Sequence, residues 1–261
     1  MTAFQAIILG IVQGLAEFLP ISSSGHLVFF QKAFGLEGNL LVFDTMLHVG
    51  TLIAVFFVFW KDIVEMLKRP FSKLPLLLVA ATLPTVVIAV LLEDIVEEAF
   101  IGAAYLGIGF LITGVALFLV ESIDQGDKKL KEMSFIDAVV VGIVQGIAIF
   151  PGISRSGSTI AGALFRKVDR QFAARFSLLL SIPAILGSVV FQAKDVLELG
   201  GQHESIVPII LGTVAAAVSG FFAIKILIRA LTRGSLKKFA YYVFAIGVLV
   251  LLDQYIFHFI F

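Results

Sequence analysis

Residues 10–26 read GIVQGLAEFLPISSSGH, and residues 142–158 read GIVQGIAIFPGISRSGS. The two stretches align without a gap, so the chain carries one pattern twice. The copies differ at three positions with reactive side chains, which are Glu17, Ser23 and His26 in the first copy and Ile149, Arg155 and Ser158 in the second. A duplicated scaffold with divided chemistry predicts one composite site built from both halves.

The composition indicates a membrane protein. Hydrophobic residues make up 59% of the 261-residue chain and charged residues only 15%, and the mean hydropathy is +1.06. A soluble domain does not carry this much apolar sequence. The absence of cysteine excludes disulfides and thiolate metal sites, and a net charge of zero gives no sign of a nucleic-acid partner. We therefore predict an all-α, polytopic integral membrane protein.

Six apolar segments approach or exceed the ~20 residues that a helix needs to cross a bilayer. These expected transmembrane helices lie at about 43–60, 75–92, 103–121, 172–191, 206–229 and 238–259. Two further segments, 4–31 and 135–165, are interrupted by Pro, Gly and Ser, and we expect each to form a re-entrant helix–loop–helix hairpin. The whole chain, 1–261, is expected to form a single membrane domain.

The distribution of Lys and Arg sets the expected orientation. Fourteen of the 19 basic residues lie in four connections, which the positive-inside rule assigns to the cytoplasm: 61–74, 122–134, 166–171 and 229–238. The opposite connections hold only Lys32 and Lys194, and they are 32–42, 93–102 and 192–205. Segment 93–102 is acidic, and we expect it to be a solvated outer loop.

This orientation makes the two halves inverted repeats. Repeat 1 (about 1–122) and repeat 2 (about 133–261) each contain one hairpin and three spans. An odd number of spans carries the chain to the other side of the membrane, so repeat 2 begins on the side opposite to repeat 1. The hairpins then enter from opposite sides of the membrane, and their tips can meet inside it.

The first tip carries Ser22, Ser23, Ser24 and Gly25 at the start of a short second helix. The N-terminus of a helix presents free N–H groups and a positive dipole end, which suit an anion such as phosphate. One of the hydroxyls could act as a nucleophile. His26 lies three residues after Ser23 and can share its helical face, as a base or as a second nucleophile.

Gln13 and Glu17 are four residues apart on one face of the first half-helix. A carboxylate beside an anion site is best explained as a ligand of a divalent cation or as a proton carrier.

The second tip places Arg155 in the same loop. A guanidinium can grip phosphate through two bonds, and at membrane depth it needs a carboxylate or a bound anion as its partner. The expected phosphate-binding residues of the two tips are Ser22, Ser24, Gly25, Ser154, Ser156 and Gly157.

Simpler interpretations exist for each feature alone. Breaks rich in Pro, Ser and Gly also occur as kinks, small residues serve helix packing, and Glu17 and Arg155 could be a structural ion pair. The convergence of Glu, Ser, His and Arg on paired tips favours a functional site. Asp44 and His48 are weaker candidates, because they could either support the site or cap a helix end.

At these residues the sequence resembles the bacterial undecaprenyl-diphosphatase family, the bacitracin-resistance membrane phosphatases. The resemblance rests on residues 13–26, QGLAEFLPISSSGH, and on residues 151–157, PGISRSG. Length, span count and motif placement also fit, so the resemblance covers essentially the whole chain.

The resemblance implies removal of the terminal phosphate from undecaprenyl diphosphate, which regenerates the lipid carrier of cell-wall precursors. It implies a divalent metal, Mg²⁺ or Ca²⁺, and a site facing the outer side of the bacterial cytoplasmic membrane. The family's motif residues fall on Glu17, Ser23, His26 and Arg155, and its first motif begins here with Gln13. An amide can coordinate a metal but cannot act as a carboxylate base. The expected partners are the lipid substrate and membrane lipid, and a homodimer is left open.

On this resemblance, a metal held by Glu17 and Gln13 neutralises the diphosphate, and Arg155 stabilises the transferring phosphoryl group. Ser23 is expected to attack while His26 takes its proton, and attack by His26 itself stays an alternative. The competing class is a secondary transporter or lipid flippase for an anionic substrate, because inverted repeats with broken helices are typical of transporters.

Overall fold

The computed structural model describes residues 1–36, 38, 40–102, 105–198 and 206–261, and these fold almost entirely into helices. The helices of this part of the chain are α1 (Ala3–Phe18), α2 (Ser23–Ala33), α3 (Leu41–Val58), α4 (Trp60–Lys68), α5 (Lys73–Leu91), α6 (Glu93–Gly102), α7 (Leu106–Val120), α8 (Phe135–Ile147), α9 (Arg155–Phe165), α10 (Arg170–Glu198), α11 (Ile206–Arg233) and α12 (Lys237–Leu252), followed by a π-helical turn (Asp253–Phe257).

Five helices of the described residues are long and apolar enough to cross a membrane. They are α3, α5, α10, α11 and α12 with its π-helical turn, and they match five of the six expected spans to within a few residues. The expected span 103–121 corresponds to α7, whose 15 residues are fewer than a full crossing requires. Residues 103 and 104 lie outside the described residues. The prediction of an all-helical membrane protein is confirmed.

Some of the expected connections between spans contain helical segments. Residues 61–74 include most of α4, and the acidic segment 93–102 forms α6, so the prediction of a loop there was wrong. Glu93 and Asp94 occupy the first turn of α6, where carboxylates interact favourably with the helix dipole. Helix α10 likewise extends to Glu198, and the rest of the expected outer connection, 199–205, lies outside the described residues.

Each interrupted segment consists of two helices separated by a short break. In the first segment Pro20 disfavours helical backbone at the residue before it, and α1 ends there with Leu19 extended at ψ of 144°. The second break contains Pro151 and Gly152, and the φ of 85° at Gly152 is one that glycine adopts without strain. Both segments therefore have the expected helix–break–helix form, and their re-entrance in the membrane stays a prediction.

The first helix of each hairpin packs along a helix from the other half of the chain, α1 on α11 and α8 on α5. The repeated glycines allow this close packing. A Cβ added at Gly10 would overlap the carbonyl oxygen of Gly212, and one added at Gly142 would overlap that of Ala81. Because small residues let membrane helices approach each other closely, these glycines hold each hairpin against the opposite half.

The open end of the second hairpin is closed by the buried carboxylate of Asp137. Arg166 Nε donates to its Oδ1 at 2.7 Å, and Lys128 Nζ lies 3.3 Å from Oδ2. The same carboxylate accepts the backbone N–H of Ser134 at 2.9 Å, which caps α8. The start of α8, the end of α9 and the preceding connection are thus joined at one acid.

Gly142→Ala is expected to destabilise the fold, because the added methyl group meets the backbone of α5 and α8 must move away. We expect a loss of about 1–3 kcal/mol, seen as a lower midpoint of thermal unfolding in detergent. Gly187→Ala is the matched control, because a Cβ there meets nothing within 4 Å. The control should unfold at or above the wild-type midpoint, and equal midpoints for the two variants would contradict the packing role of Gly142.

Candidate active site

The first tip places hydroxyl groups at the N-terminus of α2. Ser22 is the N-cap, and its Oγ accepts the N–H of Gly25 at 3.3 Å and lies 3.4 Å from Ser24 Oγ. The backbone of Ser22 has φ of 71° and ψ of 101°. For a residue with a side chain such a conformation costs about 1–3 kcal/mol, and strain of this kind is typical of functional sites.

The second tip is built in the same way and touches the first. Ser154 Oγ caps α9 by accepting the N–H of Gly157 at 3.1 Å, and it lies 3.2 Å from Ser156 Oγ. The N–H of Ser154 donates to Thr113 Oγ1 of α7 at 2.9 Å. The hydroxyl of Ser156 donates to the carbonyl oxygen of Leu19 at 3.0 Å, which joins the second tip directly to the first.

Glu17, near the end of α1, connects the two tips through its side chain. Its Oε1 accepts a hydrogen bond from Arg155 Nη2 at 2.7 Å, and its Oε2 accepts the hydroxyl of Ser23 at 2.7 Å. The side chain of Glu17 is 6% exposed and that of Arg155 is 16% exposed, so the ion pair is shielded from water. Ser23 and Arg155 are the first residues of α2 and α9, and both helix N-termini therefore converge on one carboxylate.

Gln13 and His48 extend this network. The Nε2 of Gln13 donates to Glu17 Oε2 at 3.0 Å and lies 3.1 Å from His48 Nδ1, which is itself 3.7 Å from Glu17 Oε2. The other amide atom of Gln13, Oε1, is buried and has no hydrogen-bond partner in the described part of the chain. A buried acceptor left in this way costs about 1–3 kcal/mol, and it is a ready ligand for a cation.

His26 is directed away from the Ser23 hydroxyl. Its Nδ1 lies 2.8 Å from the carbonyl oxygen of Ser22, and its Nε2 lies 2.8 Å from the hydroxyl of Tyr242 on α12. The imidazole also meets the ring of Phe110 edge-on, with centroids 5.2 Å apart. Among the hydrogen bonds of the described residues, none joins His26 to Ser23. Glu17 occupies the position beside Ser23 that His26 was expected to take.

Several residues outside the repeated pattern also reach the tips. His48, a weaker candidate from the sequence, lies against Gln13 and Glu17, whereas Asp44 accepts a hydrogen bond from Gln31 at 2.8 Å. Tyr242 and Thr113 were missed. A Tyr or Thr within an apolar helix gives no sequence signal of this kind, because tertiary packing alone brings it to the tips.

The donor set fits a cation that arrives with a phosphate ligand. Within the described residues, no three His, Asp or Glu side chains are grouped so that they could hold a metal ion by themselves. Glu17 and the Oε1 of Gln13 offer two oxygen donors. Hard cations prefer oxygen, and Mg²⁺ is commonly held by one or two carboxylates together with substrate phosphates.

The two tips together provide the groups that phosphoryl transfer to a hydroxyl requires: a nucleophile, a base and donors that bind phosphate oxygens. Ser23 provides the hydroxyl, and Glu17 is a carboxylate within hydrogen-bond distance that can accept its proton. Arg155 and the free N–H groups at two helix N-termini can bind the oxygens of a phosphate group.

Known proteins are similar to this chain over nearly its full length. A family model described as bacitracin resistance protein BacA matches residues 6–249. An undecaprenyl-diphosphatase of Carboxydothermus hydrogenoformans is 48% identical over 256 residues, which cover 97% of this chain and 98% of the relative. Undecaprenyl-diphosphatase 3 of Bacillus cereus is 46% identical over 255 residues, covering 98% of each chain. An undecaprenyl-diphosphatase of Alkaliphilus metalliredigens is 44% identical over 271 residues, covering 97% and 98%. The resemblance inferred from the two motifs is confirmed.

A double-mutant cycle tests the ion pair at the centre of the site. Glu17→Gln and Arg155→Met each leave one buried charge without its partner, and each should cost about 3 kcal/mol of stability. The double variant removes both charges and should lose clearly less than the sum of the two single losses. Thermal unfolding of the four proteins in detergent measures the coupling, and strictly additive losses would show that the two charges do not interact.

Proposed function

This chain belongs to the bacitracin resistance protein BacA family, and on that premise we propose that it is an undecaprenyl-diphosphatase. It hydrolyses undecaprenyl diphosphate to undecaprenyl phosphate and inorganic phosphate, and so recycles the lipid carrier for cell-wall synthesis. The observation that carries the proposal is the junction at Glu17, where a serine hydroxyl and an arginine from opposite hairpins meet one buried carboxylate. Relatives named as diphosphatases, which match over nearly their full lengths, support the same activity.

In the proposed mechanism Ser23 Oγ attacks the terminal phosphorus, and its proton passes to Glu17 Oε2, 2.7 Å away. The bond between that phosphorus and the bridging oxygen breaks, and undecaprenyl phosphate leaves with the proton that Glu17 held. Water then attacks the phosphoserine with Glu17 as its base, the bond from phosphorus to Oγ breaks, and Ser23 regains its proton. Glu17 is preferred to His26 as the base, because both ring nitrogens of His26 are within 2.8 Å of other groups.

Arg155 is proposed to exchange one anion for another when substrate binds. In the structure it pairs with Glu17, and its Nη1 lies 3.5 Å from the carbonyl oxygen of Ser177. A diphosphate placed between the tips competes with Glu17 for the guanidinium, and the planar fork of Arg155 then binds the transferring phosphoryl oxygens. The N–H groups at the starts of α2 and α9 add donors that need no rearrangement.

A divalent cation, Mg²⁺ or Ca²⁺, is the proposed cofactor. A diphosphate carries more negative charge than Arg155 alone neutralises. Glu17 and the Oε1 of Gln13 are the residues that would hold the ion, and phosphate oxygens of the substrate would complete its ligands. Once bound, the ion would supply charge neutralisation at the phosphoryl group.

The proposed topology has six crossings, with α7 as a short sixth span, and two re-entrant hairpins, α1–α2 and α8–α9, in inverted repeats. Basic connections lie on the cytoplasmic side, and the site opens to the outer side of the bacterial cytoplasmic membrane. The placement of Lys and Arg supports this orientation, and the reciprocal packing of α1 on α11 and α8 on α5 supports the repeats. A homodimer stays a prediction.

The transporter alternative is not supported by the relatives of this chain, since the three named ones carry enzyme names. It also gives no reason for a hydroxyl directed at a buried carboxylate, which a nucleophile requires.

Phosphate release from undecaprenyl diphosphate by the purified protein tests the enzyme directly. Ser23→Ala removes the nucleophile and should lower kcat roughly a thousandfold or more. Arg155→Lys keeps the charge but loses the fork, and should lower kcat on the order of a hundredfold. Ser188→Ala is the control, because that hydroxyl bonds to the carbonyl of Ile185 in its own helix, outside the site.

The same experiment identifies the nucleophile when the intermediate is trapped with labelled substrate and mapped. The proposed mechanism requires an acid-stable phosphoserine at Ser23. An acid-labile phosphohistidine at His26 would overturn it, and a wild-type protein that releases no phosphate would return the transporter class to consideration.

The role of Gln13 is tested by the dependence of activity on Mg²⁺. Gln13→Leu should raise the half-saturating Mg²⁺ concentration roughly tenfold, and Gln13→Glu should lower it, because a second carboxylate binds a hard cation more strongly. Gln145→Leu is the matched control, since Gln145 has the same position in the second half but bonds to Thr85 rather than to a carboxylate. Equal Mg²⁺ dependence in Gln13→Leu and wild type would remove Gln13 from the proposed ligands.

A further inference from the structure

Tyr242 lies on α12, outside both copies of the repeated pattern, yet it is bonded to a residue of the first tip. Its hydroxyl is 2.8 Å from Nε2 of His26. Its ring lies nearly parallel to the imidazole, with an interplanar angle of 9° and centroids 5.6 Å apart. No motif in the sequence singles out this tyrosine, and the mechanism above does not use it.

The hydrogen bonds of His26 determine which of its nitrogens carries a proton. The carbonyl oxygen of Ser22 can only accept, so the Nδ1 at 2.8 Å from it must be the N–H donor. In the neutral imidazole Nε2 is then an acceptor, and the hydroxyl of Tyr242 donates to it. The Ser22 carbonyl thus sets the Nδ1–H tautomer, and the hydrogen bond that Tyr242 donates to Nε2 stabilises it in that orientation.

The hydrogen bond between Tyr242 and His26 reaches the nucleophile through the carbonyl group of Ser22. Ser22 has a positive φ of 71°, a conformation that a serine adopts only when its surroundings hold it there. Its carbonyl meets both Nδ1 of His26 at 2.8 Å and the backbone N–H of His26 at 3.3 Å. The next residue is Ser23, whose hydroxyl must point at Glu17, so a change in the peptide after Ser22 turns that hydroxyl directly.

We propose that Tyr242 is a positioning residue for the reaction: it holds His26 in the Nδ1–H form against the Ser22 carbonyl and so keeps the Ser23 hydroxyl directed at Glu17. This inference rests on the proposed function. It also gives His26 a role that needs no contact with the substrate, which agrees with its orientation away from the Ser23–Glu17 bond.

Tyr242→Phe keeps the stacked ring and removes only the hydroxyl. We expect kcat for phosphate release to fall roughly three- to tenfold with KM changed less than about twofold, because alignment for attack is lost while the phosphate-binding groups stay in place. Tyr241→Phe is the matched control. Tyr241 is 60% exposed and its ring contacts that of Phe118, so removal of its hydroxyl should leave both constants unchanged.

A double variant separates positioning from general packing. His26→Asn can still donate to the Ser22 carbonyl but has no second nitrogen for Tyr242. In the His26→Asn background, Tyr242→Phe should change kcat by less than about twofold. An equal loss in both backgrounds, or a rise in KM without a fall in kcat, would overturn the proposal.

Nitrogen-15 NMR of histidine-labelled protein gives a readout that does not depend on activity. The signals of His26, assigned by their loss in His26→Asn, should show the Nδ1–H form in the wild type and in Tyr241→Phe, and a shifted or averaged form in Tyr242→Phe. Identical His26 signals in wild type and Tyr242→Phe would overturn the inference. If the wild type releases no phosphate, the proposed function fails, and these signals still decide whether Tyr242 orients His26.

Discussion

The candidate site depends on a single buried ion pair, between Glu17 of the first hairpin and Arg155 of the second. A buried charge is costly without a partner, so the pair draws the end of α1 to the start of α9. Because Ser23 donates to the same carboxylate, the start of α2 is drawn to the same point. One interaction thus brings together the Ser23 hydroxyl, the Glu17 carboxylate and the Arg155 guanidinium. Arg155 can exchange this carboxylate for a substrate phosphate at little cost, because one anion replaces another.

Much of this arrangement could be predicted from the sequence, because it follows from local rules and from the duplication. A proline together with Gly or Ser residues marks the break in each copy, and the alignment places Glu17 just before the first break and Arg155 just after the second. The orientation of His26 could not be predicted. Its spacing of three residues from Ser23 allows a shared face, but bonds to the Ser22 carbonyl and to Tyr242, 216 residues away, turn the ring elsewhere. Helical spacing says which groups can meet, and tertiary packing decides which of them do.

The duplicated pattern contains glycines that serve helix packing and tip residues that form the candidate active site. Gly10 and Gly142 stand at equivalent positions, and each lies where an added methyl group would overlap the backbone of a helix from the opposite half. Their role is the same in both halves, and so is their identity. The tips keep the same capping serine and glycine, Ser22 with Gly25 and Ser154 with Gly157, and differ between them at Ser23 and Arg155. The close packing of α1 on α11 and of α8 on α5 holds the two hairpins in place. A strained residue such as Ser22 can persist at a tip because the surrounding structure holds it there.

Gln13 and Gln145 occupy equivalent positions in the two repeats, and comparing them separates a structural feature from a metal-binding one. Gln13 and Gln145 both bury an Oε1 that has no hydrogen-bond partner within the described residues. The orphaned oxygen is therefore a property of the duplicated scaffold and not, by itself, a sign of a ligand. What differs is the other side of the amide: Nε2 of Gln13 bonds to the carboxylate of Glu17, and Nε2 of Gln145 bonds to the neutral hydroxyl of Thr85. A divalent cation needs negative charge as well as oxygen, so only the first half can offer it a site. The presence of Glu17 where the second copy has Ile149 is thus the difference that turns a packing position into a proposed metal ligand.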